Sequence, residues 1–313
     1  MASILTNTAA IAALSTLRSI NSEMETTQNR ISSGYKVQNA SDNAAYWSIA
    51  TTMRSDSKAL GTVQDALGLG AATTDVAYTA LQSSIKVVDE IKSKITAASQ
   101  PGVDKDKVQK EITQLQNQLT SIAKSASFSG ENWVYHTASA GAGNQAIVGS
   151  FNRDGQGNVS LTTLNYDTTN SSLIQVDTAG ANVTNGNGLL SKNMSFTKAD
   201  GTTQALTYSV LSLNITNMTA GELSSALSGV DKVIKDMTAS AADVGSINSR
   251  IDMQKDFVSD LMDSIQKGVG KLVDADMNEE STRLKALQTQ QQLGIQALSI
   301  ANNDSQSILS LFR

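Results

Sequence analysis

The residues that could perform chemistry in this chain are few, and their types argue against catalysis. The sequence has 313 residues, no cysteine and a single histidine, His136. Zinc sites are built from cysteine, histidine and carboxylate ligands, and a His-Glu-x-x-His zinc helix needs two histidines. One histidine cannot supply that helix, and we interpret His136 as a packing or surface residue. The sequence therefore predicts a protein that is not an enzyme and uses no metal and no cofactor.

Two short stretches imitate binding motifs without their usual context. Residues 141–146 read GAGNQA, which is similar to a dinucleotide fingerprint. The stretch neither follows a clear strand nor opens a helix, so we interpret it as a loop. Asp274 and Asp276 could ligate a metal ion, but Asp276 with Glu279 three residues later is explained more simply as the cap of a helix.

Charge and hydropathy exclude several classes of partner. The net charge is -5 and no block of Lys or Arg is present, so a nucleic acid or an acidic lipid surface is not expected as a partner. No run of about eighteen apolar residues exists, so membrane insertion is not expected either. No Lys or Arg precedes Arg18, so the charged opening of a cleavable secretory signal is missing, and export would need another route.

The strongest pattern is a slender apolar track at each end of the chain. Near the C-terminus the steps of the track alternate between three and four residues through Leu284, Leu287, Leu298, Ala301, Ile308 and Phe312, with Gln291, Gly294 and Ser305 filling the other positions. Near the N-terminus the apolar residues are Ile4, Ile11, Leu14, Leu17, Ile20, Met24 and Ile31. Both tracks are typical of coiled-coil helices. Because each stripe is too narrow to be buried alone, we expect the two ends to pair.

The elements between these ends form a symmetrical order of helices, strands and helices. Helices are predicted over residues 3–33, ended by Gly34; over 43–99, capped by Ser41 or Asp42; from Asp104 onward; and from the Thr219–Glu222 capping box to Gly268. Residues 128–217 contain short strands. The predicted fold class is mainly α with a β-rich middle: terminal coiled-coil helices, a long helical bundle with β-hairpins, and a small variable outer lobe.

The sequence motifs at the two ends resemble those of bacterial flagellins. Residues 28–45 read QNRISSGYKVQNASDNAA, which is similar to the RLSSG…INSA.DDAA signature of that family. The C-terminal counterparts are SRID at 249–252, VDADM at 273–277, LQTQQQLG at 287–294 and ILSLFR at 308–313. Tyr46 and Trp47 depart from the small or polar residues that are usual there, and the chain looks like the short flagellins of rhizobium-type bacteria.

The resemblance implies a structural subunit that polymerises into the extracellular flagellar filament for swimming. It divides the chain into an inner coiled coil (1–40 and 272–313), a helical shell (41–135 and 216–271) and an outward variable region (136–215). The implied self-assembly residues are the apolar residues of both tracks, Ile4 to Ile31 and Leu284 to Phe312. The implied turn, or spoke, motif consists of Arg30, Gly34, Asn39, Asp42, Asp274 and Asp276.

The partners implied by the resemblance are other copies of this chain, other flagellins, the flagellar export apparatus, an export chaperone and a cap protein. The alternative is a hook–filament junction protein, which shares the terminal helices but does not grow long fibres alone. For a filament subunit, we expect each terminus to be largely disordered when free and to become helical when neighbouring subunits cover its other faces.

Overall fold

The computed structural model describes residues 7–137, 143–177, 183, 187–198 and 202–311, and within them the side chains of all but 170 and 304–311. The helices are α1 (Thr8–Ser33), α2 (Ala44–Ala98), α3 (Lys105–Ser125), α4 (Ala220–Val273) and α5 (Met277–Leu311). The strands are β1 (Tyr135–Thr137), β2 (Asn144–Arg153), β3 (Val159–Asp167), β4 (Ile174–Val176), β5 (Ser195–Thr197) and β6 (Thr203–Ala205). The protein is therefore mainly α with a small β part, as the sequence predicts.

Several helix ends lie where the sequence signals place them. Gly34 ends α1 in the left-handed conformation, with φ at 77°, and its N–H donates to the Arg30 carbonyl. The Asp104 side chain caps α3 by accepting from the backbone N–H groups of the next turn. Thr219 and Glu222 form the predicted capping box, in which the Thr219 N–H donates to Glu222 Oε2 over 2.7 Å. The two N-terminal caps satisfy N–H groups that have no partner inside the helix, and Gly34 satisfies a carbonyl at the helix C-terminus.

Two predicted helix ends are wrong. Helix α4 does not stop at Gly268 but continues to Val273. A glycine inside a helix costs only about 1 kcal/mol relative to alanine, and here Val269 and Val273 are buried beyond it. Helix α2 is capped by Asn43, whose Oδ1 accepts from the Tyr46 N–H over 3.1 Å. The cap is therefore neither Ser41 nor Asp42, the two predicted candidates, and Asp42 instead accepts backbone N–H groups of the preceding turn.

The chain divides into two compact units, one formed by Met1–Lys58 with Met262–Arg313 and the other by Ala59–Leu261. The core of the second unit follows the seven-residue spacing of α2, where Leu60, Leu67, Thr74, Leu81, Val88 and Ile95 are all 2% exposed or less. Ile112 and Leu119 of α3 and Val230 and Met237 of α4 are buried in the same unit. The heptad repeat in α2 therefore marks a fully covered core face.

The strands of the second unit lie against its helices. β2 and β3 form an antiparallel hairpin whose register shifts between Val148 and Ser150. Gly70 of α2 lets β2 approach closely, because a Cβ at Gly70 would come within 2.6 Å of the Ile147 side chain. The Gln116 side chain donates to the Val210 carbonyl over 2.9 Å. Strand β1, which has no clear sequence signal, pairs in parallel with β4.

No helix among the described residues is both long enough and apolar enough to cross a membrane.

Candidate assembly interface

Helices α1 and α5 pair in antiparallel orientation within the first unit. Asn7 Nδ2 donates to the Ala301 carbonyl over 2.8 Å. Gln291 Nε2 donates to Asn21 Oδ1 over 2.7 Å, and Arg30 Nη1 lies 3.0 Å from Glu280 Oε1. Residue numbers rise along one helix as they fall along the other, so the three contacts fix both the direction and the register of the pair.

The seam of α5 follows the predicted three-four spacing. Leu287 is 4% exposed, and the other covered positions are Glu280, Leu284, Gln291, Gly294, Leu298 and Ala301. Gly294 permits close contact with α1, because a Cβ there would lie 3.1 Å from Leu17 Cδ1. Ile308 lies in α5, but its side chain falls outside the described residues, as does the whole of Phe312.

The seam of α1 differs from the predicted track in its first half. Leu17, Ile20, Met24 and Ile31 face α5, but Ile11 and Leu14 do not, being 57% and 38% exposed. The covered positions are Ala10, Ala13, Leu17, Ile20, Met24, Thr27 and Ile31, with steps of three and four. The prediction assigned the large side chains of Ile11 and Leu14 to the seam, but the small side chains of Ala10 and Ala13 occupy those positions. Extending the heptad backward from Leu17 would have found them. Ile4 lies outside the described residues.

The outward faces of this helix pair carry large apolar side chains. They are Ile11 and Leu14 on α1 and Leu293, Ile295 and Ile300 on α5. The three on α5 are each more than half exposed. Several large apolar side chains exposed on one helix pair indicate surfaces that other molecules cover. We call these five residues the outer apolar face.

The predicted turn residues are brought together beside the helix pair. The N–H groups of Lys36 and Val37 both donate to the Val273 carbonyl, over 2.7 and 3.3 Å, and the Ala275 N–H donates to the Gly34 carbonyl over 2.9 Å. Tyr35 and Asp274 form an isolated antiparallel bridge. The segment after α1 is thus joined to the segment between α4 and α5 by backbone hydrogen bonds.

The carboxylates of the turn motif act as structural acceptors. Both Asp42 contacts, with the Asn39 and Gln38 N–H groups, measure 2.9 Å, and they hold the pKa of Asp42 below its usual value. Asp276 Oδ1 caps α5 by accepting from the Asn278 N–H over 2.9 Å. Within the described ranges, no group of three or more potential metal ligands forms around these carboxylates or elsewhere.

Glu280 is a residue of the seam that sequence reasoning missed. Its side chain is 8% exposed and pairs with Arg30 across the two helices. Its second oxygen, Oε2, is buried without a hydrogen-bond partner in the described part of the chain. A charged pair in a mostly apolar seam specifies register at some cost in stability. The spacing could have identified Glu280, because it lies four residues before Leu284, where the three-four track places its preceding position.

The other residues considered for chemistry have structural positions. His136 lies in β1, where its Nδ1 is 2.6 Å from Ser172 Oγ, and burial lowers the pKa of the imidazole. Of the glycine-rich stretch 141–146, residues 141 and 142 lie outside the described residues, and the stretch opens strand β2 at Asn144 rather than a helix. This contradicts a dinucleotide-binding turn.

Comparisons with known proteins match both ends of the chain. A family model of the bacterial flagellin N-terminal helical region matches residues 4–139, and one of the C-terminal helical region matches residues 227–312. Flagellin C of Rhizobium meliloti (strain 1021) is 56% identical over 326 residues, and a flagellin A of Rhizobium meliloti is 49% identical over 396. A flagellin of Brucella melitensis biotype 1 is 43% identical over 315 residues. All three alignments cover 100% of both chains.

Proposed function

The chain belongs to the bacterial flagellin family and is a structural, non-enzymatic subunit of the extracellular flagellar filament, and on that premise we propose that helices α1 and α5 carry its self-assembly. The observation that carries this proposal is the outer apolar face. Its five side chains are exposed on the same two helices that pair with each other through their covered seam positions. The remaining faces are therefore available to other copies of the chain.

Burial of the outer apolar face supplies a driving force for polymerisation. Removing one Leu or Ile side chain fully from water contributes about 1.5–3 kcal/mol. Ile11 and Leu14, although displaced from the seam within the subunit, thereby keep a proposed role in self-assembly. The seam residues Leu17, Ile20, Met24, Ile31, Leu284, Leu287 and Leu298 hold the pair together, and we propose the same role for Ile4, Ile308 and Phe312.

The terminal helices gain their full order on assembly. The buried apolar cluster between them consists of Ile20, Met24 and Leu287, with Leu284 packed against it. Such a small cluster offsets only part of the conformational entropy lost when 26 residues of α1 and 35 of α5 become helical. Neighbouring subunits supply the rest, so folding of the ends and polymerisation are one coupled event.

The three-part division of the chain belongs to the same proposal. Residues 1–40 and 272–313 form the inner coiled coil, 41–135 and 216–271 the surrounding shell, and 136–215 the outward variable region. The turn motif of Arg30, Gly34, Asn39, Asp42, Asp274 and Asp276 links the coiled coil to the shell. Its support is Asp42 at the start of the shell, whose carboxylate accepts from the backbone N–H groups of Gln38 and Asn39 at the end of the coiled-coil segment.

Family membership also supports a set of partners. We propose co-assembly with other flagellins, export through the flagellar secretion apparatus, and transient binding to an export chaperone and to the filament cap protein. The alternative of a hook–filament junction protein is not favoured, because the relatives that match along the entire chain are named flagellins.

Amide hydrogen exchange tests the coupling of folding to assembly. In the free subunit, amides of α1 and α5 should exchange rapidly while those around Leu67 and Leu81 of α2 are protected. In filaments, the terminal amides should become protected as well. Terminal amides that resist exchange equally in the monomer and in the filament would contradict the proposal.

A further inference from the structure

A basic aromatic face lies at the start of α2. It consists of Tyr35, Trp47, Arg54 and Lys58. Tyr35 and Trp47 are each 38% exposed, and the guanidinium carbon of Arg54 lies 4.9 Å from the centroid of the Tyr35 ring. Trp47, Arg54 and Lys58 are spaced by seven and four residues, which places them on one side of the helix. Stacking on Tyr35 restricts the orientation of the Arg54 side chain, so less entropy is lost when its guanidinium binds a carboxylate.

An acidic apolar face lies on α4. It consists of Met253, Asp256, Phe257 and Asp260, whose spacing of three and four residues forms one stripe. Met253 is 61% exposed and Phe257 is 56% exposed, and both carboxylates are exposed beside them. Arg250 borders the stripe at one end. Two neighbouring large apolar side chains exposed in a helix centre indicate a covered surface in the assembled protein.

Other exposed apolar side chains of the described residues do not form an equivalent face. Five of them belong to the outer apolar face of α1 and α5. Tyr46 and Ile49 lie near the start of α2, close in sequence to Trp47 of the basic aromatic face. Leu69 and Met277 are isolated, and Val159 and Leu161 on β3 are bordered by serine and threonine. The stripe around Phe257 therefore combines apolar area with carboxylates to a degree that these other sites do not match.

We propose that the basic aromatic face of one subunit binds the acidic apolar face of a second copy in the filament. This rests on the proposed function, because an open polymer needs two different, mutually complementary surfaces on each subunit. The chain carries a net charge of -5, so copies repel each other on average. A local positive face opposite a local negative one overcomes that repulsion and fixes the orientation of the two copies.

Each side of the contact has a matching chemical group on the other. The Arg54 guanidinium can bind a carboxylate of Asp256 or Asp260 with two parallel hydrogen bonds. The Trp47 ring provides a flat apolar surface for Phe257 and for the thioether of Met253.

A charge exchange tests the contact. Arg54→Glu should raise the critical concentration for polymerisation about tenfold, because it places like charges opposite each other. Asp256→Arg with Asp260→Arg should have a similar effect, and the triple variant should return to within about threefold of the original chain. Lys110→Glu, on the exposed side of α3, is the matched control and should change little.

The outcomes separate this contact from the proposed function. A triple variant no better than the worse parent, or an Arg54→Glu effect no larger than that of Lys110→Glu, overturns the contact while the original chain still polymerises. If a chain truncated to remove α1 and α5 still polymerises, it is the proposed function that fails.

Cross-linking provides a second measurement that does not depend on charge. The chain has no cysteine, so Trp47→Cys and Phe257→Cys subunits can each be polymerised alone on seeds of the original chain, or mixed in equal amounts. Oxidation should yield disulfide-linked dimers in mixed filaments and none in filaments of either variant alone. Absence of dimers from mixed filaments, or equal yields in all three, would overturn the contact.

Discussion

The terminal helix pair and the centre of α2 use the same sequence periodicity to different effect. In α2 the residues at seven-residue spacing, from Leu60 to Ile95, are essentially inaccessible to water. In the α1–α5 pair the same kind of track leaves most of its members half-covered, and large apolar side chains face outward. The heptad repeat specifies which face of a helix is covered, whereas the number of elements packed around that helix determines how completely the face is buried. A thin seam with apolar residues outside it identifies the part of a chain that other molecules complete.

Removing either terminal helix is the strongest test of this contrast. Chains that lack residues 4–31 or 284–312 should retain the core of the Ala59–Leu261 unit, because Leu67, Leu81 and Ile112 are buried within that unit. They should fail to polymerise under every seeding condition. Electron microscopy and thermal unfolding followed by circular dichroism measure the two properties. If either truncated chain formed filaments, the terminal helices would not be the part of the chain that polymerisation requires.

A single charge placed in the thin seam should reproduce most of that effect. Leu287→Asp puts a carboxylate at a buried position of α5 that has no cation assigned to it, and this is costly. Polymerisation should be abolished, while the helical circular dichroism of the free subunit stays nearly constant.

The matched control for Leu287→Asp is Leu81→Ala in the completed core. That change should lower the free energy of unfolding of the subunit by about 2–5 kcal/mol. If Leu287→Asp destabilised the free subunit as strongly as Leu81→Ala, the seam would already be a stable core before assembly.

The ion pair in the seam should have an intermediate effect. Arg30→Gln leaves the Glu280 carboxylate without its cation, and since Arg30 is one-third exposed, we expect a loss of about 1–3 kcal/mol of filament stability. That loss would appear as a higher critical concentration in sedimentation. Adding Glu280→Gln should recover most of it, because the buried charge is then gone. No recovery would show that Arg30 acts through some other contact.

The smallest effect is expected from pH in the core unit. Hydrogen bonds from Lys235 and Lys92 lower the pKa of Asp231 from 3.8 to about 2. Because the folded-state value is depressed, the stabilisation is present above pH 3.8 and is lost as the pH falls toward 2. Asp231→Asn should flatten the pH dependence of the free energy of unfolding in that interval. An unchanged slope would assign acid sensitivity to other carboxylates.

The sequence predicted those parts of the fold that depend on strong local signals. The Thr219–Glu222 capping box, the left-handed Gly34 and the α5 seam each rest on residues a few positions apart. The predictions that were wrong concern positions where two adjacent residues could each have taken the same structural role. Ile11 and Leu14 are the larger side chains, but register with α5 selects Ala10 and Ala13, and Asn43 rather than Asp42 caps α2. The parallel pairing of Tyr135 with Ile174 joins segments that are distant in the sequence, so no local sequence pattern indicates it.

The hydrogen bonds that join Gly34 to Ala275 have a consequence for chain synthesis. A ribosome adds about 5–20 residues per second, so the acceptor at residue 34 is complete roughly 10 to 50 seconds before its donor at residue 275 exists. During that interval the first helix has neither its turn nor its partner. If α1 and α5 carry self-assembly as proposed, an unfinished chain lacks one half of its polymerising helix pair, and growth from a nascent chain is not expected.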